Sequence, residues 1–251
     1  MSCMGIFTGK KAVVIGGSGG IGRQISLKLA QCGASLVIQG AHDSEKFLSL
    51  VKEIKEKSSV EVKPIVHEFK AEKIWEVEKS ILTNEVGSSD ILCVCYGPFL
   101  QKKLDCMNMS DWCNISLLDY ALAGFFASTA LSSMRMRKWG RVLLFGGTRT
   151  SSIEGFRTNA AYAGAKTGLC SLVKSIAKEY SQYGITGNAI LPGFTDTEYL
   201  NERQKSELAQ KMPSGRLLEP QKIAEMAINL MANPEMNGVL LNMDGGWTPS
   251  D

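Results

Sequence analysis

A glycine-rich turn near the amino end constrains the fold of this chain more than any other stretch. The turn follows the apolar run of residues 12–15, which is typical of a strand covered on both faces in a parallel sheet. It precedes Ile21, Ile25 and Leu29, whose spacing predicts a helix, and Gly33 suits the end of that helix. The glycines of the turn are Gly16, Gly17, Gly19, Gly20 and Gly22. A strand, a glycine turn and a helix in this order form an anion cradle, because free amide groups and the positive helix end point at the same place.

The spacing of these glycines favours a dinucleotide as the anion. Gly17, Gly19 and Gly22 satisfy the dinucleotide-binding pattern G-x-G-x-x-G. A kinase-type phosphate loop is disfavoured, because Arg23 and Gln24 stand where that motif needs a lysine and a serine or threonine.

A hydrolase is the alternative that the same stretch leaves open. Residues 16–20 match the G-x-S-x-G nucleophile elbow, with Ser18 as the nucleophile. In that fold the catalytic histidine follows several later strands. The chain has only His42 and His67, which come too early, so the hydrolase interpretation is the weaker one.

The composition is that of an ordinary globular enzyme or binding protein. The chain has 251 residues, 44% hydrophobic and 21% charged, which suits one α/β domain. A net charge of +3 is too small to indicate nucleic-acid binding. The seven cysteines include no C-x-x-C pair, and no secretory signal or long apolar run is present, so we expect a cytoplasmic location and no membrane partner. We expect packed thiols rather than metal ligands at Cys93 and Cys95, and no metal site.

Strand and helix patterns alternate along the whole chain. Further strands are expected at residues 35–39, 60–66, 91–95 and 141–145. Helical stripes include Ile74, Val77, Ile81 and Leu82. We expect a long helix from an N-cap at Ser110 to about Trp139, ended by Gly140, and another over residues 160–183, ended by Gly184. Uninterrupted alternation predicts a doubly wound parallel sheet with helices on both faces.

The end of the second predicted strand bears on the choice between NAD and NADP. An acidic residue there would bind the ribose 2′-hydroxyl of NAD. This chain has Gly40, Ala41 and His42. The missing carboxylate removes a repulsion against a 2′-phosphate, and His42, Arg23 or Lys46 could supply positive charge, so NADP(H) is favoured over NAD(H). Asp43 is the competing ribose candidate, although it also suits the N-cap of the next helix.

Tyr162 and Lys166 are candidates for acid–base chemistry. They stand four positions apart on a predicted helix, so their side chains share a face. A nearby ammonium favours the phenolate and lowers the pKa of a tyrosine, which makes it an acid or base near neutral pH. By itself this spacing is weak evidence for catalysis, because an ordinary surface pair fits it equally well. It becomes stronger evidence when the same chain also carries the glycine turn.

Four motifs together resemble the short-chain dehydrogenase/reductase family. They are Gly16-x-x-x-Gly20-x-Gly22, Tyr162-x-x-x-Lys166, Asn188-Ala189-Ile190-Leu191-Pro192-Gly193 and Asp244-Gly245-Gly246. The resemblance covers the whole chain, and its layout is similar to that of the 3-oxoacyl-(acyl carrier protein) reductases. It implies a single Rossmann-type domain over residues 1–251, with about seven strands.

The resemblance also implies an activity, which is hydride transfer between NADP(H) and a small carbonyl or alcohol substrate. Tyr162 would pass the proton, while Lys166 would hold the nicotinamide ribose and lower the pKa of the tyrosine. Residues 194–213 would form a mobile substrate loop. Glu68 would contact adenine, unless it is a solvated loop carboxylate. The implied cofactor contacts are Gly16, Ser18, Gly19, Gly20, Ile21, Gly22, Gly40, Ala41, His42, Glu68, Tyr96, Gly97, Tyr162, Lys166, Pro192, Gly193, Thr195 and Thr197.

Several positions depart from the family pattern. Gly146 and Gly147 stand where a catalytic serine is expected, so Thr148 is our candidate for the hydroxyl that orients the substrate carbonyl, ahead of Thr150, Ser151 and Ser152. Asp119 aligns with the helix asparagine that holds a relay water. Val94-Cys95-Tyr96-Gly97 replaces Asn-Asn-Ala-Gly, and Ile15 replaces a threonine.

The chain could also be a dinucleotide-binding sensor or scaffold that no longer catalyses. Tyr162 and Lys166 favour the enzyme, because cofactor binding alone does not need an acidic phenol. We expect a homo-oligomer, most simply a tetramer, as the resemblance suggests. The outer sides of the two long helices, including Leu122, Phe126 and Leu169, are expected to meet a partner subunit.

Overall fold

One parallel sheet organises the molecule. The computed structural model describes residues 5–247, and within them seven strands pair in the order β3-β2-β1-β4-β5-β6-β7, every pairing parallel. The strands are β1 (Lys11–Ile15), β2 (Ser35–Gly40), β3 (Val62–Val66), β4 (Ile91–Val94), β5 (Gly140–Phe145), β6 (Ile185–Pro192) and β7 (Leu240–Met243). The order reverses direction between β1 and β4, and ligands of such sheets bind at the carboxyl ends beside this point. The predicted doubly wound fold is confirmed.

Helices cover both faces of the sheet. They are α1 (Gly20–Gln31), α2 (Glu45–Lys57), α3 (Ile81–Gly87), α4 (Met109–Ile115), α5 (Leu122–Arg137), α6 (Ala160–Tyr180), α7 (Glu202–Ala209) and α8 (Pro220–Ala232). Alternate residues of β1 enter two separate cores: Val13 and Ile15 pack with α5 and α6, whereas Ala12 and Val14 pack with α1, α2 and α8. A strand buried on both faces explains the unbroken apolar run of residues 12–15.

The long helix expected from Ser110 to Trp139 is divided. It begins at Met109, because Asn108 is the N-cap and forms a capping box with Asp111. A π-helical segment, Ser116–Ala121, separates α4 from α5. The helix ends at Arg137, followed by Lys138 in a left-handed conformation at φ 52°, whereas Gly140 begins β5. The predicted N-cap at Ser110 and stop at Gly140 were therefore wrong.

Two other local expectations change. The apolar stripe that starts at Ile74 does not form one helix, because a 3₁₀ helix (Ala71–Lys79) and α3 divide it. The N-cap of α2 is Ser44, whose side chain accepts a hydrogen bond from the Phe47 amide, so the N-cap predicted at Asp43 was wrong. The helix expected over residues 160–183 is confirmed as α6 and a short 3₁₀ turn, with Gly184 left-handed at φ 69°.

The side chains expected at a subunit interface lie inside the molecule. Leu122, Phe126 and Leu169 all belong to the core between the sheet and the α5/α6 layer. The exposed apolar side chains of α4, α5 and the π-helical segment are Met109, Trp112, Tyr120 and Met136. The expected interface residues were therefore wrong.

One continuous helical stretch, Met109–Arg137, is long and apolar enough to cross a membrane by length and composition. Half of its most apolar window is buried within the molecule. Its apolar residues include Leu122 and Phe126 of the core, so packing inside the fold explains that composition.

Candidate active site

The glycine turn lies at the carboxyl end of β1, where bulkier residues would not fit. Gly16 has φ 71°, and a Cβ there would lie 2.9 Å from the Tyr96 backbone nitrogen. A Cβ on Gly22 would collide with the Gly16 carbonyl oxygen. The absence of side chains therefore lets α1 pack directly on the turn, as the sequence predicted.

Gln39 fixes the position of this turn and was missed by the sequence analysis. Its side chain is buried at the end of β2, where the Gly16 amide donates to its Oε1 at 2.7 Å. Its Nε2 donates to the His67 carbonyl oxygen at 2.6 Å. A glutamine within the apolar strand β2 was the available signal, since a buried amide needs partners.

The expected adenosine end of the site lies beside β2. Gly40 is buried, and a Cβ there would lie 2.8 Å from the Ser18 Cβ. Ala41 is half-buried and His42 is exposed. Arg23 is engaged elsewhere, because its Nη2 lies 2.6 Å from a Glu53 carboxylate oxygen. The basic side chains exposed just after this strand are His42 and Lys46.

Glu68 lies on the loop after β3 and is half-exposed. Its carboxylate pairs with the Lys70 ammonium at 2.8 Å. The Lys70 partner lowers the pKa of Glu68, so the group is an anion. This pairing is compatible with either role that the sequence left open.

The structure brings Tyr162, Lys166 and Asp119 together. Tyr162 and Lys166 lie near the start of α6, and the Lys166 Nζ lies 5.5 Å from the centroid of the Tyr162 ring. The same Nζ lies 2.7 Å from an Asp119 carboxylate oxygen in a buried ion pair, with the two side chains 5% and 0% exposed. Gly97 makes room for this pair, because a Cβ there would lie 2.7 Å from the Lys166 Nζ.

Asp119 retains unused hydrogen-bonding capacity. Despite the close ion pair, neither of its buried oxygens accepts a hydrogen bond of good geometry from any residue within 5–247. Burial raises the pKa of Asp119, and the Lys166 ammonium partly opposes that rise. Buried polar atoms are normally satisfied, so this carboxylate fits a hydroxyl donor such as water or a ribose.

The pKa of Tyr162 is shifted opposite to expectation. Burial and the Asp119 carboxylate both raise the pKa of the phenol. Lys166 does not lower it, because the ammonium is paired with Asp119 and faces the ring of Tyr162. The expectation of a lowered pKa was therefore wrong, and Tyr162 is a protonated phenol at neutral pH.

The position opposite the Tyr162 hydroxyl is Gly147. A Cβ on Gly147 would lie 3.5 Å from the phenol oxygen and 3.2 Å from the ring carbon Cε1. The hydroxyl of Thr148 instead donates to the Pro192 carbonyl oxygen at 3.0 Å. Thr150 is buried, and its hydroxyl donates to the Gly147 carbonyl oxygen at 2.8 Å. Ser151 and Ser152 are exposed.

The segment after β6 completes the site. The Gly193 amide donates to the Met243 carbonyl oxygen at 2.8 Å, and a Cβ on Gly193 would lie 2.9 Å from Asp244 Cα. The Pro-Gly and Asp-Gly-Gly motifs therefore pack against each other. Thr195 donates to the Gly193 carbonyl oxygen at 2.9 Å, and Thr197 lies close to Gly20.

These residues fit a dinucleotide at the carboxyl edge of the sheet. The Gly20 amide, at the start of α1, already donates to a carboxylate, that of Glu198, so the turn accepts an oxyanion. At the other end, the unsatisfied oxygens of Asp119 stand beside the Lys166 ammonium. No group of three or more side chains suited to a metal ion occurs within residues 5–247.

Comparisons with known proteins agree with this geometry. A family model described as enoyl-(acyl carrier protein) reductase, one of the short-chain dehydrogenases/reductases, matches residues 16–248. The chain is 29% identical to a 3-oxoacyl-[acyl-carrier-protein] reductase of Aquifex aeolicus and 31% identical to that of Vibrio cholerae, each alignment covering 95% of this chain and 97% of the relative. A solved structure from Agrobacterium tumefaciens, described as a gluconate dehydrogenase, superposes with a TM-score of 0.81 at 27% identity, covering 97% of this chain and 98% of that one.

Proposed function

The chain belongs to the short-chain dehydrogenase/reductase family, and from that membership we propose that it is an NADP(H)-dependent reductase of a 3-oxoacyl thioester or a related carbonyl compound. It is an oxidoreductase that interconverts C=O and CH–OH groups. The observation that carries the proposal is that Tyr162 lies next to the buried ion pair of Lys166 and Asp119, beside the glycine turn. A phenol and an ammonium placed in this way serve proton transfer, which dinucleotide binding alone does not need.

Tyr162 is the proton donor in this proposal. The glycine turn and Lys166 would hold a reduced nicotinamide dinucleotide, which when bound would supply the hydride to the carbonyl carbon. The Tyr162 hydroxyl gives its proton to the carbonyl oxygen, so that the C=O group becomes CH–OH. Lys166 would hold the ribose hydroxyls, while Asp119 orients Lys166 and accepts from a hydroxyl or a relay water. Solvent protons then restore the phenol.

The raised pKa keeps Tyr162 in the protonated form that carbonyl reduction uses. Alcohol oxidation needs the phenolate as base, which burial and Asp119 disfavour. We propose reduction as the physiological direction, with NADPH as the donor, because the curated relatives are reductases.

The NADPH preference rests on the end of β2. Gly40 offers no carboxylate to the ribose, while His42 and Lys46 are exposed beside it. Asp43 is exposed as well and, since Ser44 takes the N-cap, remains the competitor that would favour NADH. The contacts of Ile21, Tyr96, Pro192, Thr195 and Thr197 with the cofactor belong to this proposal.

The substrate side is assigned to residues 194–213 and the loop after β4. α7 lies within 194–213 with no buried side chain, which suits a substrate loop that moves. Phe99 stands edge-on to Tyr162 with ring centroids 5.0 Å apart, and 63% of it is exposed. An exposed aromatic beside the proton donor suits a substrate with an apolar flank such as an acyl chain. We also propose a single domain over residues 1–251, a cytoplasmic location and a homotetramer.

The experiment is NADPH consumption against a carbonyl panel that includes 3-oxoacyl thioesters and small cyclic ketones. Tyr162→Phe is the control: we expect it to lower kcat by about 10²-fold or more while leaving the Kd for NADPH nearly unchanged, because the hydroxyl acts only on the transition state. Full turnover by Tyr162→Phe would rule out Tyr162 as the proton donor and so refute the mechanism. NADPH binding without turnover of any substrate would favour the sensor or scaffold, and labelling of Ser18 by a fluorophosphonate would favour the hydrolase.

A further inference from the structure

A carboxylate from the far end of the chain occupies the anion cradle. The Gly20 backbone amide donates to both oxygens of Glu198, at 3.0 and 3.2 Å. Glu198 lies 178 positions later in the sequence, in the segment that follows β6. The amide groups at the start of α1 therefore already hold an anion that belongs to the chain itself.

Glu198 supplies a cap that α1 otherwise lacks. Gly19 is the N-cap residue and has no side chain, and the first turn of α1 carries no acidic residue. By contrast, α2 and α4 are capped by their own Ser44 and Asn108. An anion at an uncapped helix start is stabilised both by the free amides and by the helix dipole.

The neighbouring residue covers the same place sterically. A Cβ on Gly20 would lie 3.1 Å from the Tyr199 ring, and a Cβ on Gly19 would lie 2.7 Å from a Glu198 oxygen. Tyr199 nevertheless remains 71% exposed, so little apolar burial holds the ring there. A phosphate group seated on Gly19 and Gly20 would therefore need both side chains to leave.

Asp196 and α7 lie on either side of the residues that make this contact. Asp196 donates its amide to the Leu218 carbonyl oxygen at 2.9 Å and also pairs with Lys205 at 2.9 Å. Asn201 begins α7 with a capping box. Residues 197–200 lie between the backbone hydrogen bond of Asp196 and the start of α7. They can move away from Gly20 without breaking either one.

We propose that Glu198 is an internal competitor for the cofactor pyrophosphate, so that a dinucleotide binds only after residues 197–200 release the start of α1. The proposal rests on the proposed function, since it concerns the same cofactor cradle. Glu198 and a pyrophosphate oxygen require the same Gly20 amide, so their occupancies exclude each other. The apparent Kd for a dinucleotide is then the intrinsic Kd divided by the fraction of molecules in which Glu198 is released.

Equilibrium binding of NADPH and of NADH, followed by the fluorescence of the reduced nicotinamide, tests this proposal. We expect Glu198→Ala to tighten both ligands by the same factor of about tenfold, because the pyrophosphate is common to them. Glu198→Gln keeps the shape and removes the charge, and we expect it to tighten both by a smaller factor. Glu56→Ala is the matched control: this exposed carboxylate on α2 pairs with Lys52, and its removal should change neither Kd.

The possible results separate this proposal from the proposed function. Equal tightening of both ligands in Glu198→Ala, with unchanged affinities in Glu56→Ala, supports the proposal. A gain for NADPH alone, or the same gain in Glu56→Ala, would mean a general charge effect and would overturn it. Unchanged affinities in Glu198→Ala would overturn it as well, while leaving the reductase assignment intact. Failure of every variant to bind either dinucleotide would overturn both.

Discussion

At the scale of single residues, burial and the Asp119 carboxylate together raise the pKa of Tyr162, the proposed proton donor. This carboxylate takes the Lys166 ammonium into a buried ion pair and adds a negative charge near Tyr162. The phenol therefore lies near an anion in a largely desolvated place, and the Lys166 ammonium faces its ring. This arrangement keeps the phenol protonated, as reduction requires, and disfavours the phenolate that oxidation would use as base.

Replacing Asp119 by asparagine should make the phenolate form of Tyr162 easier to reach. The substitution removes the negative charge that raises the pKa of Tyr162 and frees Lys166 to approach the phenol, while burial stays the same. The pKa of Tyr162 should fall, so the phenolate forms at lower pH and the pH profile of kcat for alcohol oxidation should move to lower pH. Steady-state oxidation rates across a pH series measure this shift.

Glu235→Gln, in the exposed turn between α8 and β7, is the control and should leave that profile in place. An Asp119→Asn profile that coincides with the wild type would show that the charge of Asp119 does not control the tyrosine.

The hydroxyl that orients the substrate carbonyl is the second question at this scale. The Thr148 hydroxyl can serve only if its bond to the Pro192 carbonyl oxygen opens, whereas Gly147 faces the phenol directly. Gly147→Ser should raise kcat for reduction by about tenfold, since one well-placed donor is worth that much or more. The Tyr162 ring would need to move by a few tenths of an ångström, because the new Cβ would lie 3.2 Å from it.

Thr148→Val decides between the two positions in the same assay. A loss of about 10²-fold, together with no gain from Gly147→Ser, would establish Thr148 as the orienting group. The geometry leads us to expect the opposite pattern, with Thr148→Val retaining most of its rate.

The sequence could predict contacts along one helix but not contacts between elements at this scale. Tyr162 and Lys166 lie together because four positions return to the same helix face. The capture of Lys166 by Asp119, and of the Gly16 amide by Gln39, joins residues that are distant in the chain. Their pairing depends on strand order and packing, which periodicity does not encode.

At the scale of secondary structure, the π-helical segment positions Asp119. Its periodicity resembles that of an ordinary helix, so the sequence predicted one continuous element. An extra residue per turn is accommodated only where tertiary contacts favour it, and such segments are frequent at functional sites. Here Asp119 is buried within Ser116–Ala121 and meets Lys166 of α6. The predicted helix boundaries were wrong for a related reason. Asn108 takes the N-cap position instead of Ser110, and the left-handed Lys138 ends the helix before Gly140.

The packing of α1 on the glycine turn can be tested at Gly22. Gly22→Ala places a methyl group against the Gly16 carbonyl oxygen, so α1 must move away from the turn. We expect the free energy of unfolding to fall by about 1–3 kcal/mol. We also expect NADPH to bind at least tenfold more weakly, about 1.4 kcal/mol, because the amides of the cradle are displaced. Denaturant unfolding and fluorescence titration measure the two effects.

Gly164→Ala is the matched control within an exposed helix position. A Cβ there meets no atom within 4 Å, so this variant should gain about 0.5–1 kcal/mol of stability from helix propensity. Equal behaviour of the two variants would show that close packing at Gly22 is unimportant.

At the scale of the whole molecule, the alternation of strand and helix patterns predicted the fold correctly. The five inner strands, β1, β2, β4, β5 and β6, are covered on both faces, which produces continuous apolar runs. Right-handed crossovers leave few arrangements for such a chain. The same reasoning failed for the outer surface. Leu122, Phe126 and Leu169 have helical spacing, but spacing does not say how many neighbours surround a helix, and here α3, α6 and the sheet cover them.

The exposed apolar side chains identify the surface through which we expect subunits to associate. Trp112 and Tyr120 are 39% and 43% exposed, on α4 and the π-helical segment, and the Tyr120 ring rests on Gly168 of α6. Large aromatics exposed on neighbouring helices are typical of an isologous interface.

We expect the wild type to have the mass of a tetramer in light scattering at micromolar concentration, and the double variant Trp112→Glu with Tyr120→Glu to have a smaller mass. Leu48→Glu is the control, because Leu48 is 56% exposed on α2, in the layer on the other side of the sheet, and should leave the mass unchanged. A monomeric wild type would refute the oligomer. A tetrameric double variant would place the interface elsewhere, because two buried carboxylates without partners at an interface cost several kcal/mol.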